Sequence, residues 1–169
     1  MPNLEVLTVP DPRLKQLSEP VEQFDDTLRD FISDLEQTMR ASPGGVGIAA
    51  PQVAHFKRIV IVDVSSKPDI KHHGRLVLVN PEITEWQGME KGREGCMSVP
   101  DYTGNVIRAK AIKLSACDEH GQLHHYECEG YEARAIQHEI DHLDGVLFLD
   151  RLVSRRTDLF QRKVYKNNK

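Results

Sequence analysis

Cysteine is scarce in this chain, and long apolar runs are missing. The 169 residues include three cysteines, and an odd number of thiols does not make a disulfide framework. We therefore expect any special cysteine to bind a metal or to act in catalysis. No apolar stretch approaches the roughly 20 residues that cross a bilayer, and the opening MPNLEVLTVPDPRL lacks the apolar core of a secretory signal. We expect a cytoplasmic protein that does not associate with membranes.

Positive charge is not in excess either. Lysine and arginine number 22 against 26 aspartates and glutamates, for a formal net charge of −4. Nucleic-acid-binding proteins generally present a basic face, so we expect no sequence-specific nucleic-acid binding. The length suits one domain. We therefore expect a single domain over residues 1–169, in which residues 158–169 form a basic C-terminal tail.

Apolar periodicity predicts two long helices and several strands. Helical spacing runs from Asp25 to Arg40 and again from Tyr131 to Leu143. The segments RIVIVDV and RLVLVN, and the two halves of a hairpin around DEHG, have the composition of strands. Because these strands precede the second helix, we predict an α+β fold with mainly antiparallel sheets packed around that helix. The spacing of Phe160 and Val164 predicts a short helix in the C-terminal tail.

The sequence QHEIDH, from Gln137 to His142, indicates metal chemistry. At about 100° per residue, His138 and His142 share one helix face and Glu139 lies close to it. Two imidazoles in this arrangement can bind one divalent ion, and the glutamate can reach a water beside that ion. A solvated helix face that contains two histidines by chance is the alternative, since the motif is short.

A catalytic metal usually has three protein ligands, and the segment after the helix does not supply the third. HEIDHLDGVLF resembles the protease pattern HExxHxxGxxH, but Phe148 occupies the last ligand position, and no histidine or glutamate follows it. Upstream, Cys96 lies in REGCMSVP among few aliphatic residues, where a packing role would be unusual. The predicted hairpin holds a second candidate cluster, which consists of His124, His125 and Cys128.

Three motifs in order resemble the peptide deformylases. They are GVGIAAPQ (Gly45 to Gln52, for GxGxAAxQ), EGCMS (Glu94 to Ser98) and QHEIDH. The resemblance implies that the metal ligands are Cys96, His138 and His142. It also implies that Glu139 is the catalytic glutamate, and that the Gln52 amide and the backbone N–H of Met97 stabilise the oxyanion. Around these residues we expect Glu94 and Asp141 to orient metal ligands, with Arg108 paired to Glu94.

The resemblance also implies a reaction and its components. The reaction is hydrolysis of the N-formyl group on the initiator methionine of nascent polypeptides, with release of formate. The cofactor is one divalent metal ion, Fe²⁺ in the cell, which Zn²⁺, Ni²⁺ or Co²⁺ can replace. The basic tail is expected to contact the ribosome transiently. We expect the peptide main chain to pair with the glycine-rich segment Gly45, Val46 and Gly47. The helix face beside His138 adds Tyr131, Arg134 and Ala135 as further substrate-binding residues.

Two other functions stay open at this point. One is a different metal hydrolase built on the same HExxH helix, which would need a third ligand that the sequence after Gly145 lacks. The other is a catalytically silent deformylase-like binding module. That reading would need a damaged motif, whereas all the expected reactive residues are present.

Overall fold

The strands pair into two antiparallel sheets in the computed structural model, which describes residues 4–162. The first sheet has five strands in the order β1-β2-β3-β6-β7, and the second has three in the order β4-β5-β8. The strands are β1 (Gly47–Ala49), β2 (Ile59–Val62), β3 (Leu76–Gln87), β4 (Glu90–Cys96), β5 (Val99–Arg108), β6 (Ala111–Cys117), β7 (Leu123–Glu129) and β8 (Leu159–Gln161).

Two α-helices accompany the sheets, α1 (Asp26–Ala41) and α2 (Gly130–Leu143). Short 3₁₀ helices cover Pro12–Lys15, Ala50–Val53 and Phe148–Arg151. The predicted α+β class with antiparallel sheets is confirmed, and both predicted helices are present within about two residues of their expected bounds. Among the helices of residues 4–162, none combines the length and apolar character that a membrane crossing requires.

Strand β2 is buried on both faces, which explains its unbroken apolar sequence IVIV. Val60 and Val62 belong to the core layer that contains Ile136 and Leu143 of α2. The alternate β2 residues, Ile59 and Ile61, belong to the layer that contains Ile32, Leu35 and Met39 of α1. Full burial of such a side chain stabilises the fold by about 1.5–3 kcal/mol. The sheet therefore fixes α2, the helix that carries QHEIDH, from behind.

Two parts of the fold differ from the prediction. Sequence reasoning did not predict the β4–β5 hairpin, because most of its residues are polar or glycine. The predicted helical tail is wrong over the described residues, since Leu159–Gln161 forms β8 and pairs with Tyr102 to Gly104. The pairing is supported by the Phe160 ring, which lies 3.8 Å below the Arg93 guanidinium. Val164, the other half of the helical spacing, lies outside the described residues.

Candidate metal centre

Three donor side chains converge between β4 and α2. Cys96 is the last residue of β4, and His138 and His142 project from α2 towards it. The Cys96 Sγ atom lies 3.3 Å from His142 Nε2. One donor atom from each of the three residues lies within 4.8 Å of the other two. The structure thus brings together the three residues that the family resemblance named as ligands.

The environment of these donors fits a metal ion. Cys96, His138 and His142 are 9%, 7% and 1% exposed, and burying polar donors is costly unless they are bound to something. His142 Nε2 and Cys96 Sγ face each other within this buried space. A thiolate with two imidazoles is a donor set that suits zinc or ferrous iron. The three residues could therefore hold one divalent ion.

Glu139 lies beside the donors and is almost fully buried. Its Oε1 atom has no hydrogen-bond partner in the described part of the chain, and Oε2 lies 4.0 Å from His138 Nε2. Burial, together with the negative charge of Glu94, raises the pKa of the Glu139 carboxyl to about 7. A Cβ atom at Gly47 would lie only 2.7 Å from Glu139 Oε2, so the chain needs a glycine there for this close approach.

Gln52 directs its side-chain amide at the same point. Its Nε2 donates to Ser98 Oγ at 3.0 Å and lies 3.5 Å from Cys96 Sγ. Its Oε1 accepts from the backbone N–H of Ala49 at 2.9 Å, which fixes the orientation of the amide. Sequence reasoning gave no role to Ser98, although its place in EGCMS was a usable signal. The fully buried Ser98 hydroxyl positions the Gln52 donor.

The buried carboxylate of Glu94 orients His138. It accepts a hydrogen bond from His138 Nδ1 at 2.9 Å and one from Arg134 at 2.7 Å. It also accepts one each from Nε and Nη2 of Arg108, both at 2.9 Å. Burial alone would raise the pKa of Glu94, but hydrogen bonds from Arg108 and His138 hold that pKa well below its usual range. The carboxylate therefore stays ionised and leaves Nε2 of His138 to face Cys96.

The expected pairing of Arg108 with Glu94 is confirmed, and Glu94 contacts a predicted ligand directly. Asp141 does not. Its carboxylate bonds to Arg108 and Arg151, and it reaches His138 only through Arg108 and Glu94. The reason is geometric, because Arg108 lies between the two carboxylates and donates to both.

A cavity of about 280 Å³ opens onto the candidate centre. Four of the six predicted substrate-binding residues line it, namely Gly45, Val46, Gly47 and Tyr131, together with Met97 and Gln52. Arg134 and Ala135 do not line it. The Arg134 guanidinium turns to Glu94 and to the backbone oxygen of Glu90, and Ala135 packs from α2 into the apolar core. Arg162, which follows β8, also lines the cavity, and sequence reasoning had placed it in the tail.

The hairpin histidines do not join a common cluster with Cys128. His124 Nε2 lies 2.8 Å from an Asp118 carboxylate oxygen, so this side chain closes its own hairpin. Within residues 4–162, Cys128 instead lies with His73 and Glu132.

A buried glutamate between two histidines, with a thiol and an amide donor opposite, is an arrangement typical of metal-dependent hydrolases. Comparison with known proteins specifies the family, since the sequence profile of the polypeptide deformylases matches residues 3–158. The chain belongs to the polypeptide deformylase family.

Individual relatives agree along nearly the whole chain. The peptide deformylase of Alkalilimnicola ehrlichii is 40% identical over 163 residues, which cover 96% of this chain and 89% of the relative. That of Wolinella succinogenes is 39% identical over 167 residues, or 98% of both chains. Among solved structures, the peptide deformylase of Thermotoga maritima superposes with a TM-score of 0.82 at 37% identity. The superposition covers 90% of this chain and 99% of the Thermotoga maritima chain.

Proposed function

We propose that this chain removes the N-formyl group from the initiator methionine of nascent polypeptides and releases formate. The observation that carries the proposal is the convergence of Cys96, His138 and His142, with Glu139 and Gln52 beside Cys96 and His138 in the lining of one cavity. Membership of the polypeptide deformylase family supports the same reaction. Tyr131, which lines the cavity, is 37% exposed.

We propose that Cys96, His138 and His142 hold one divalent ion. Fe²⁺ is the proposed ion in the cell, and Zn²⁺, Ni²⁺ or Co²⁺ can replace it, since the thiolate and imidazole donors suit each of them. Such an ion, when bound, supplies Lewis-acid chemistry at the formyl carbonyl and lowers the pKa of water. Glu94 keeps His138 in the tautomer that presents Nε2.

Glu139 is proposed to move the protons. Its carboxylate takes a proton from the attacking water as the new C–O bond forms at the formyl carbon. It then gives that proton to the methionine nitrogen as the C–N bond breaks, which yields formic acid and a free amine. The acid loses its proton to solvent and leaves as formate. Burial raises the pKa of the Glu139 carboxyl above its ordinary value, and this makes the carboxylate a better proton acceptor.

The Gln52 amide and the Met97 backbone N–H are proposed to stabilise the oxyanion. Both residues line the cavity beside Cys96. Fixed donors of this kind need no reorganisation when negative charge develops on the carbonyl oxygen. The bonds to Ser98 and Ala49 preorganise Gln52 for that role.

Replacement of Gln52 by leucine is expected to lower kcat by roughly 10²–10³-fold, the usual loss for one oxyanion donor. The substitution keeps the side-chain volume close and removes the donor. The measurement is kcat for a formyl-methionyl peptide, normalised to bound metal. Ser98→Ala is the matched variant, and its smaller loss should reflect a misplaced amide. An unchanged kcat per bound metal in Gln52→Leu would remove this residue from the mechanism.

Substrate binding is proposed to use the main chain and one apolar side chain. The peptide backbone would lie along Gly45 to Gly47, where the glycines let it approach closely. The methionine side chain would occupy the cavity between Val46 and Tyr131. Arg134 donates a hydrogen bond to Glu94, so we assign it a supporting role and no direct contact with the substrate.

We also propose that the basic tail makes a weak contact with ribosomal RNA. Because Arg162 folds against the backbone oxygens of Cys96, Val99 and Tyr102, the candidate residues are Lys163, Lys166 and Lys169, which lie outside the described residues. Lysines that neutralise phosphates give a binding constant that falls as salt rises. We propose that residues 1–169 form a single domain and that the tail is its C-terminal part.

The tail proposal predicts separable effects. The triple change of Lys163, Lys166 and Lys169 to glutamine should leave turnover of a short formyl peptide unchanged and reduce ribosome co-sedimentation at low salt. The triple change leaves strand β8 in place, whereas a deletion of the tail from Leu159 onward would remove that strand. A variant with glutamine at Lys15, Lys110 and Lys113 carries the same charge change elsewhere. Equal co-sedimentation of both variants and the parent would contradict the proposal.

A further inference from the structure

A second group of metal-ligating side chains lies at the start of α2. It consists of His73, Cys128 and Glu132, and one donor atom from each lies within 4.8 Å of the other two. His73 Nδ1 is 2.7 Å from Glu132 Oε1 and 3.8 Å from Cys128 Sγ. None of these residues lines the cavity of the candidate metal centre. They come from three parts of the fold, which are the loop before β3, strand β7 and helix α2.

Glu132 is the unusual member of the group. It is 1% exposed on a helix whose neighbouring Ala133 and Ile136 belong to the apolar core. A carboxylate at that depth is costly unless it is paired or coordinates a cation. Its Oε2 accepts a hydrogen bond from the backbone N–H of His73 at 2.7 Å, and its Oε1 lies 2.7 Å from His73 Nδ1. The Cys128 thiol, 3% exposed, lies 3.8 Å from that same nitrogen. The carboxylate is thus aimed at an imidazole and a thiol.

A cation can reach this point from solvent. His73 and Glu132 border a surface cavity of about 470 Å³, and the His73 side chain is 38% exposed. Three glutamates and one lysine line the cavity, namely Glu127, Glu129, Glu132 and Lys71. An excess of negative charge in a concave surface raises the local concentration of cations.

We propose that His73, Cys128 and Glu132 form a second divalent-metal site that binds Zn²⁺, with water as the remaining ligand. Thiolate, imidazole and carboxylate together are donors that zinc prefers. The Cys128 thiol would give up one proton to solvent as the S–Zn bond forms. The ion would join the β2–β3 loop and β7 to the first turn of α2, where Tyr131 borders the substrate cavity.

Metal stoichiometry tests the site in the full-length protein. The chain is saturated with Zn²⁺, dialysed against a small excess of free Zn²⁺, and assayed for zinc per chain by native mass spectrometry. We expect two zinc ions in the parent and one in Cys128→Ser and in Glu132→Gln. The matched variants Cys117→Ser and Glu82→Gln should keep two, because Glu82 is exposed on β3 and lines neither cavity. A parent that binds one zinc ion, or a second ion that survives both Cys128→Ser and Glu132→Gln, would overturn the proposal.

Co²⁺ provides a readout that separates the two sites. In a Cys96→Ser background, a thiolate-to-cobalt absorption band should persist, because Cys128 remains as a ligand. The band should disappear in Cys96→Ser/Cys128→Ser and stay in Cys96→Ser/Cys117→Ser. Loss of the band in Cys96→Ser alone would contradict a second thiolate site, whatever the outcome for deformylation.

Discussion

Glu139→Gln is expected to lower kcat for deformylation by about 10²–10⁴-fold, the range that one general acid–base group contributes. Glutamine keeps the shape of the side chain, and it can neither take the proton from water nor return it to the amine. The Cys96, His138 and His142 donors are untouched, so the bound metal should stay at the level of the parent. Metal per chain and kcat, measured on the same preparation, check both statements.

The matched control is Glu82→Gln. This glutamate is exposed on β3 and lines neither the cavity of the candidate metal centre nor the cavity beside His73. Its replacement should change neither quantity. Near-normal turnover by Glu139→Gln would exclude Glu139 as the proton carrier. Loss of the metal would mean that the main role of Glu139 is to hold the metal ligands in position.

Cys96→Ser should weaken the binding of added Fe²⁺ at the candidate centre, and activity should fall with it. A hydroxyl is a far poorer ligand for such an ion than a thiolate. Loss of a group that merely orients a ligand costs roughly 10–100-fold in affinity, and we expect the loss of a ligand itself to exceed that. Iron per chain after anaerobic loading with Fe²⁺ and desalting measures the effect.

Cys117→Ser is the control for the thiol change, because Cys117 lies at the end of β6 away from both metal groups. It should retain both iron and turnover. Full iron content and normal turnover in Cys96→Ser would show that the metal is held elsewhere.

Local sequence patterns predicted the parts of the fold that bury a regular apolar face. Strand β2 is one such element, since Ile59 to Val62 fill core layers on both sides. The β4–β5 hairpin carried no comparable signal. Its inward polar groups, such as Glu94, are satisfied by Arg108 and Arg134 only after the chain has folded. The spacing of Phe160 and Val164 predicted a helix, and pairing of β8 with distant Tyr102 overrode it.

The candidate site shows the same division. The motif residues Cys96, His138 and His142 were identifiable because the chemistry requires those side chains, and the structure brings them together. Arg162 was missed because its place beside the cavity depends on the β5–β8 pairing, which no local pattern records. Ala135 was misplaced for a related reason. Helix geometry gives the face of a residue, and the neighbouring core decides whether that face meets substrate.

Formate release from formyl-Met-Ala-Ser by the anaerobically iron-loaded full-length protein tests the central claim most directly. We predict that formate and Met-Ala-Ser appear in equal amounts, at a rate proportional to bound iron. A different HExxH hydrolase would cleave another bond of the peptide, and a silent binding module would retain the intact peptide. Folded, iron-loaded protein that releases no formate would contradict the proposed function.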